Sequence, residues 1–259
     1  MKIAILGAGH MGRWLASELV KDHEIGVYDT DSRRTAELPG GVVLDDPSGL
    51  GPFRPDLLVN AVSLRNTVPA FEAAAPFLPG HCLLCDVASV KGEIPSYYRR
   101  SGFRFASVHP MFGPTFANVR QLRDENVIVI NESDPRGVCF FRGFFAGLGL
   151  RIFEFSFEEH DRMIAYSLAL PFASTLVFAA CMDRSAVPGT TFKKHLEIAR
   201  GLLSEDDFLL GEILFGPHSL EQLDKVTARL EFLKHVIRGR DVEEARKFFA
   251  RLRANIGPA

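Results

Sequence analysis

The sequence predicts an α/β protein with a parallel-sheet domain over residues 1–155, followed by an all-helical domain over residues 156–259. Two observations predict this division. Short apolar runs typical of buried strands alternate with segments of helical periodicity up to residue 155, and only helical periods follow it. The length of 259 residues is sufficient for two domains of ordinary size, each with its own core.

The first elements of the chain form a predicted strand–helix–strand unit around a glycine-rich loop. An apolar strand over residues 2–6 precedes Gly7-Ala8-Gly9-His10-Met11-Gly12, residues 11–20 have apolar side chains at helical spacing, and residues 24–28 resume a strand. Such a loop lets the pyrophosphate of a dinucleotide approach the helix N-terminus, where free N–H groups and the positive end of the dipole face it. We therefore predict a Rossmann-type NAD-binding domain whose cofactor contacts are Gly7, Gly9, His10, Met11 and Gly12.

An acidic residue follows the second predicted strand. Asp29 lies 22 residues after Gly7, where this fold places a carboxylate on the ribose hydroxyls of the adenosine. A 2′-phosphate at that point would meet a negative charge, which favours NAD over NADP. Arg33 and Arg34 follow closely and leave NADP open as an alternative.

Two further cofactor contacts are predicted after the next strand. This strand spans residues 56–62 and ends at Ser63, and Thr67 begins a helix through Phe77. The carboxyl ends of parallel strands bind ligands, so Ser63 and Thr67 are candidates. The alternative for both is a helix cap, which Ser and Thr often supply.

The fifth predicted strand, residues 82–87, delivers Ser89 and Lys91 to the same edge of the sheet. Cys82 and Cys85 have a spacing seen in zinc sites, but they flank two leucines and no second pair completes a site. We assign both cysteines to core packing and predict no metal.

One histidine lies between rigid neighbours in the segment from Ser107 to Pro114. Pro110 favours extended geometry for His109, and Gly113 with Pro114 predicts a sharp turn after it. We predict a strand over residues 103–108 and a constrained loop that presents His109. The alternative is a histidine that packs at the strand end.

The remaining elements up to residue 155 are two strands and one helix. Residues 126–130 and 151–155 read as strands, the second at the sheet edge. Asp134 and Pro135 begin a helix that Gly149 closes.

Four helices are predicted after residue 155. Ser156 and Glu159 form a capping box at the start of a helix toward Met182, which Pro171 should kink. A second helix runs from about Thr191 to Phe215, with Arg200 and Ser204 on one face that could bind a carboxylate. Pairs of capping residues begin the third and fourth helices; these are Ser219 with Gln222 and Asp241 with Glu244.

The apolar faces of these helices predict a homodimer through residues after 155. Charged residues make up 24% and the net charge is −2, with no basic run that would suggest nucleic acid. Four cysteines without a secretion signal predict free thiols in the cytoplasm. We expect no membrane contact, because charged residues interrupt every apolar stretch.

Three motifs together resemble the prephenate dehydrogenase family. They are residues 7–12, the string Asp86-Val87-Ala88-Ser89-Val90-Lys91-Gly92 and the string His109-Pro110-Met111-Phe112-Gly113-Pro114. The family oxidatively decarboxylates prephenate, or its amino analogue arogenate, on the route to tyrosine. The resemblance implies that His109 takes up the hydroxyl proton, Ser89 bonds the same hydroxyl, and Arg200 pairs with the ring carboxylate. It also implies that Ser204 lies near the substrate's side chain.

The chain departs from the family at one position and leaves its substrate open. Phe172 stands where many relatives have a histidine that contacts the polar side chain of the substrate. Ser204 favours prephenate, whereas Glu205 offers a carboxylate for the ammonium of arogenate. A catalytically silent NAD-binding sensor is the alternative from another class. His160 also matches a family string, and we assign it to the domain interface rather than to proton transfer.

Overall fold

The computed structural model describes residues 1–36, 38, 40–112, 122–123, 125–183 and 187–257. The predicted turn at Gly113 and Pro114 lies outside the described residues. The strands β1 to β8 are Lys2–Leu6, Glu24–Tyr28, Val42–Val43, Leu57–Asn60, Leu83–Asp86, Arg104–Pro110, Asn126–Ile130 and Arg151–Phe155. The helices α1 to α12 are His10–Leu19, Ser32–Thr35, Leu50–Phe53, Thr67–Ala74, Ile94–Ser101, Pro135–Gly147, Phe157–Ile164, Leu170–Ala180, Thr190–Leu202, Asp207–Leu214, Ser219–Gly239 and Val242–Ile256.

The strands form one sheet in the order β3-β2-β1-β4-β5-β6-β7-β8. The first six strands in this order are parallel, β7 runs antiparallel to β6, and β8 lies parallel to β7 at the edge. Because β1, β4, β5 and β6 run in one direction, the loops that follow them emerge at the same edge of the sheet. The predicted fold class is confirmed.

Apolar layers cover both faces of this sheet. Ile3 and Ile5 belong to one buried cluster, and Ala4 and Leu6 belong to another, as expected when successive side chains point to opposite faces. The first cluster contains apolar side chains of α1 and α6, and the second contains those of α4 and α5. Strands buried on both faces explain why they read as continuous apolar runs in the sequence.

The strand that carries His109 is longer than predicted. β6 continues through His109 and Pro110, which pair with Ile128 and Val127 of β7. The prediction of a strand end at Val108 is therefore wrong, because an antiparallel partner extends the strand. His109 is held by the sheet itself rather than by a loop.

The chain divides into two compact units. The first contains Met1–Ile164 and Asp206–Ile213, and the second contains Ala165–Glu205 and Leu214–Ala259. The predicted division between residues 155 and 156 stays a prediction.

The capping box before α7 forms as predicted. The Glu159 amide donates to the Ser156 hydroxyl over 3.1 Å, and the Ser156 amide donates to the Glu159 carboxylate over 2.7 Å. A π-helical turn, Ala165–Ala169, separates α7 from α8, and Pro171 lies in the first turn of α8. Since proline lacks the N–H that a continuous α-helix needs, it accounts for this irregularity.

The predicted single helix from Thr191 to Phe215 is wrong, because the chain forms two helices, α9 and α10. Ser204 follows the end of α9, and its hydroxyl donates to the carbonyl of Gly201 over 2.6 Å. Asp206 accepts from the amides of Phe208 and Leu209 and so begins α10. Arg200 and Ser204 do not share a helix face.

One helical stretch among the described residues, Phe157–Ala180, is long and apolar enough to cross a membrane by length and composition alone. The expectation that charged residues interrupt every apolar stretch is wrong, since none occurs in residues 163–182. A single such helix is weak evidence for a membrane span, because core helices of soluble proteins can have the same length and composition.

Candidate active site and dinucleotide cavity

The glycine loop between β1 and α1 contains two positions that exclude any side chain. Gly7 has φ of +92°, and a Cβ there would lie 2.8 Å from the carbonyl oxygen of Ala61. A Cβ on Gly12 would overlap the carbonyl oxygen of Gly7. These two glycines let α1 approach β1 and β4 closely.

Gly9 differs from its neighbours because a Cβ there would meet nothing within 4 Å. It is the N-cap residue of α1, and no side chain caps the free amides of the first turn. Its surroundings are therefore open at the point where a phosphate would approach these N–H groups. A dinucleotide pyrophosphate fits this arrangement.

A cavity of about 860 Å³ adjoins the loop. Its lining includes four predicted cofactor contacts, which are Gly7, Gly9, Asp29 and Ser63. The other four predicted contacts are not part of the lining. His10 is exposed, Met11 packs against the core, Gly12 is buried against Gly7, and the Thr67 hydroxyl donates to the carbonyl of Ser63 over 3.3 Å.

Asp29 connects the end of β2 to the glycine loop. One carboxylate oxygen accepts from the amide of Ala8 over 2.6 Å, and the other accepts from the amide of Asp31 over 2.8 Å. Arg33 pairs with Asp31, and this hydrogen bond lowers the pKa of the Asp31 carboxyl. Arg34 lines the cavity.

A buried polar network anchors the loop that follows β5. The ammonium of Lys91 donates to Asp86 over 2.7 Å and to the carbonyl of Val108 over 2.9 Å, and both charged side chains are fully buried. The Tyr98 hydroxyl donates to the second oxygen of Asp86 over 2.8 Å. Burial raises the pKa of the Tyr98 hydroxyl well above its usual range. Lys91 therefore joins this loop to the strand residue directly before His109.

Ser89 lies two residues before Lys91 in the same loop and is half-buried. It follows β5 at the edge where β6 delivers His109, so the Lys91 contact with Val108 keeps the Ser89 loop next to the histidine strand. The roles predicted for Ser89 and His109 stay predictions.

His109 is buried and paired with a second histidine. Its Nδ1 lies 3.1 Å from Nε2 of His160, which is also buried, although 51 residues separate the two in the chain. Nδ1 of His160 lies 3.3 Å from a carboxylate oxygen of Asp161. A chain of three titratable side chains thus ends at His109. Sequence reasoning assigned His160 to a domain interface and missed this contact.

Both histidines favour the neutral state. Burial holds the pKa of His109 well below its usual range, and the nearby Lys91 charge and His160 add to this effect. Burial also lowers the pKa of His160, although its hydrogen bond to Asp161 opposes that shift. A neutral imidazole can accept a proton at neutral pH.

The predicted substrate contacts Arg200 and Ser204 belong to the second compact unit and are exposed. Their exposure leaves the Arg200 guanidinium accessible to a carboxylate. Their roles in substrate binding stay predictions. Among the described residues, no group of three or more His, Cys, Asp or Glu side chains could hold a metal ion. Cys82 and Cys85 are both fully buried, and burial raises the pKa of the Cys82 thiol to about 12.

Comparison with known proteins identifies the nucleotide-binding part of the chain. Residues 21–137 match the family model described as the nucleotide-binding domain of prephenate dehydrogenase. Arogenate dehydrogenase 2 of Arabidopsis thaliana is 26% identical over 95% of this chain and 73% of its own length. A probable arogenate/prephenate dehydrogenase of Methanocaldococcus jannaschii is 22% identical over 94% of this chain and 58% of its own length.

Two solved structures share the fold. Prephenate dehydrogenase from A. aeolicus, crystallised with hydroxyphenyl propionate and NAD+, aligns with a TM-score of 0.84 at 18% identity, covering 97% of this chain and 96% of that chain. Synechocystis arogenate dehydrogenase aligns with a TM-score of 0.72 at 20% identity, covering 97% of each chain. The fold and the glycine loop define a parallel-sheet nucleotide-binding domain. Residues 21–137 match the nucleotide-binding domain of prephenate dehydrogenase, and over most of its length the chain is similar to arogenate and prephenate dehydrogenases.

Proposed function

We propose that this protein catalyses the NAD-dependent oxidative decarboxylation of prephenate to 4-hydroxyphenylpyruvate in tyrosine biosynthesis. The observation that carries the proposal is a buried, neutral histidine, His109, at the sheet edge that also carries the glycine loop. Similarity to prephenate and arogenate dehydrogenases suggests the reaction class, and the histidine supplies the proton acceptor that this reaction needs.

The protein groups have separate tasks in this proposal. His109 accepts the proton of the ring hydroxyl as the carbonyl forms, and Ser89 holds that hydroxyl by a hydrogen bond. Arg200 binds the ring carboxylate through a charge-assisted pair, and Ser204 lies near the side chain. When bound, NAD would be the acceptor for the hydride that leaves the hydroxyl-bearing carbon. Loss of CO2 then makes the ring aromatic, which drives the reaction forward.

Arogenate is the second candidate substrate. Glu205 is exposed directly after Ser204, and its carboxylate could pair with the ammonium that distinguishes arogenate from prephenate. Parallel assays that follow NADH fluorescence with prephenate and with arogenate separate the two. We expect faster turnover with prephenate. Turnover of neither compound would favour a catalytically silent NAD-binding sensor.

We expect NAD to bind at least about tenfold more tightly than NADP, because a 2′-phosphate would lie close to the Asp29 carboxylate. Titration calorimetry with each cofactor measures both dissociation constants. Arg34→Ala is the matched variant, since its side chain lines the same cavity and offers the charge a phosphate would use. It should weaken NADP binding further and leave NAD binding unchanged. Equal constants for the two cofactors in the wild type would contradict the preference.

We also propose a homodimer formed through the helices after residue 155. Large apolar side chains are exposed there, including Leu230 at 47% and Ile237 at 65% on α11. Sedimentation at micromolar concentration should show a dimer, and Leu230→Glu should produce monomers because it places a charge on this face. Phe77→Glu, on an exposed part of the sheet domain, is the control and should remain dimeric. A wild-type monomer would refute the proposal.

A further inference from the structure

His160 contacts His109 but has no role in the proposed reaction as described above. It has no exposed surface, and its ring lies 5.3 Å from the ring of His109 at an interplanar angle of 63°. Its two nitrogens have different neighbours. Nε2 faces Nδ1 of His109 over 3.1 Å, and Nδ1 faces the Asp161 carboxylate over 3.3 Å.

The Asp161 carboxylate determines where each proton lies. An ionised carboxylate only accepts hydrogen bonds, so Nδ1 of His160 must carry a proton to donate one. In a neutral His160, Nε2 then holds a lone pair, and Nδ1 of His109 must be the donor in the contact between the rings. A neutral His109 with a proton on Nδ1 has its lone pair on Nε2.

Burial and the nearby Lys91 favour the neutral state that this arrangement of protons requires. Lys91 lies close enough to disfavour a positive charge on either ring, whereas Asp161 and Asp86 favour one on His160. Burial is the largest effect on both rings and disfavours the charge. A protonated His160 would donate from Nε2 instead. The proton of neutral His109 would then lie on Nε2, where it blocks proton acceptance.

We propose that His160, oriented by Asp161, is a positioning residue that fixes neutral His109 as the tautomer with its lone pair on Nε2. This inference rests on the proposed function, in which the substrate hydroxyl gives up its proton. The O–H bond breaks, the new N–H bond forms at Nε2 of His109, and the oxygen electron pair becomes part of the carbonyl as the C–H bond of the same carbon breaks and its hydride leaves. Nδ1 of His109 keeps its proton throughout, and its hydrogen bond to His160 stabilises the resulting imidazolium.

Nitrogen NMR of the histidine rings tests the tautomer without substrate or cofactor. In ¹⁵N-labelled wild-type protein at neutral pH, the resonances that vanish in His109→Asn belong to His109. We expect a protonated Nδ1 and an unprotonated Nε2 for this ring. A proton on Nε2 instead would overturn the inference. Because this measurement needs no turnover, it remains decisive even if neither prephenate nor arogenate reacts.

Variants of His160 test the consequence for catalysis. Without the contact from His160, His109 in the His160→Leu variant should adopt both tautomers. We expect kcat to fall at least about tenfold with little change in the KM for prephenate. His160→Gln should restore most of the activity, because its amide oxygen can accept from Nδ1 of His109. His81→Leu is the matched control, since His81 also faces an aspartate, Asp56, but on the exposed surface. Wild-type kcat and an unchanged tautomer in a folded His160→Leu protein would overturn the inference.

Discussion

Replacing His109 with Asn is expected to lower kcat at least about 10²-fold while leaving the dissociation constant for NAD almost unchanged. Asn is similar in size and keeps a polar group, but it cannot accept a proton at neutral pH. The cavity beside the glycine loop does not include His109 in its lining, so the loss should be confined to the chemical step. Stopped-flow NADH fluorescence measures kcat, and titration calorimetry measures NAD affinity.

His81→Asn is the control for this prediction. The side chain of His81 is 52% exposed, and it lies at the opposite end of β5 from Ser89. The control should turn over like the wild type. Equal turnover in the His109→Asn variant would remove His109 from the mechanism, whereas a matching loss of NAD affinity would assign it to cofactor binding.

The nucleotide-binding half of the fold could be predicted because its signals are local. The glycine loop, the strand before it and Asp29 after β2 lie within 29 residues, and the structure has all three in the predicted order. The cofactor contacts predicted at His10 and Thr67 stay predictions. His10 is exposed on α1, and the Thr67 hydroxyl bonds within its own helix start. A motif identifies the loop but not which side chains face the ligand.

Two errors have one physical cause, which is that periodicity does not detect competing hydrogen bonds. The helix from Thr191 breaks because Ser204 and Asp206 bond to nearby backbone groups, as these residue types do outside helix interiors. Strand β6 continues past Val108 because β7 supplies an antiparallel partner. The strand that pairs with β6 is not visible in the local sequence.

The contact between His109 and His160 could not be predicted because it joins residues 51 positions apart. Its signals in the sequence are the pair His160-Asp161 one turn inside a helix and the match of His160 to a family string. Such a pair more often lies on a solvated face. Only the packing of α7 beside β7 and β8 brings it to the end of β6.

The second large effect is expected at the glycine loop, where two substitutions to alanine should separate binding from folding. Gly9→Ala should weaken NAD binding at least about tenfold, because its Cβ would occupy the approach of the pyrophosphate to α1. The same Cβ meets nothing within 4 Å in the protein itself. We therefore expect the apoprotein to lose no more than about 1 kcal/mol of unfolding free energy, the usual scale for an N-cap change.

Gly12→Ala should lower the stability of the fold itself, unlike Gly9→Ala. Its Cβ would overlap the carbonyl oxygen of Gly7, so α1 must move away from the loop at a cost of about 2 kcal/mol or more. Thermal unfolding of the apoprotein should show a clearly lower Tm for this variant alone, and calorimetry should show weakened NAD binding for both. Since alanine favours helices over glycine, a rise in the Tm of Gly12→Ala would mean that the loop relaxes. Wild-type NAD affinity in Gly9→Ala would place the pyrophosphate away from the N-terminus of α1.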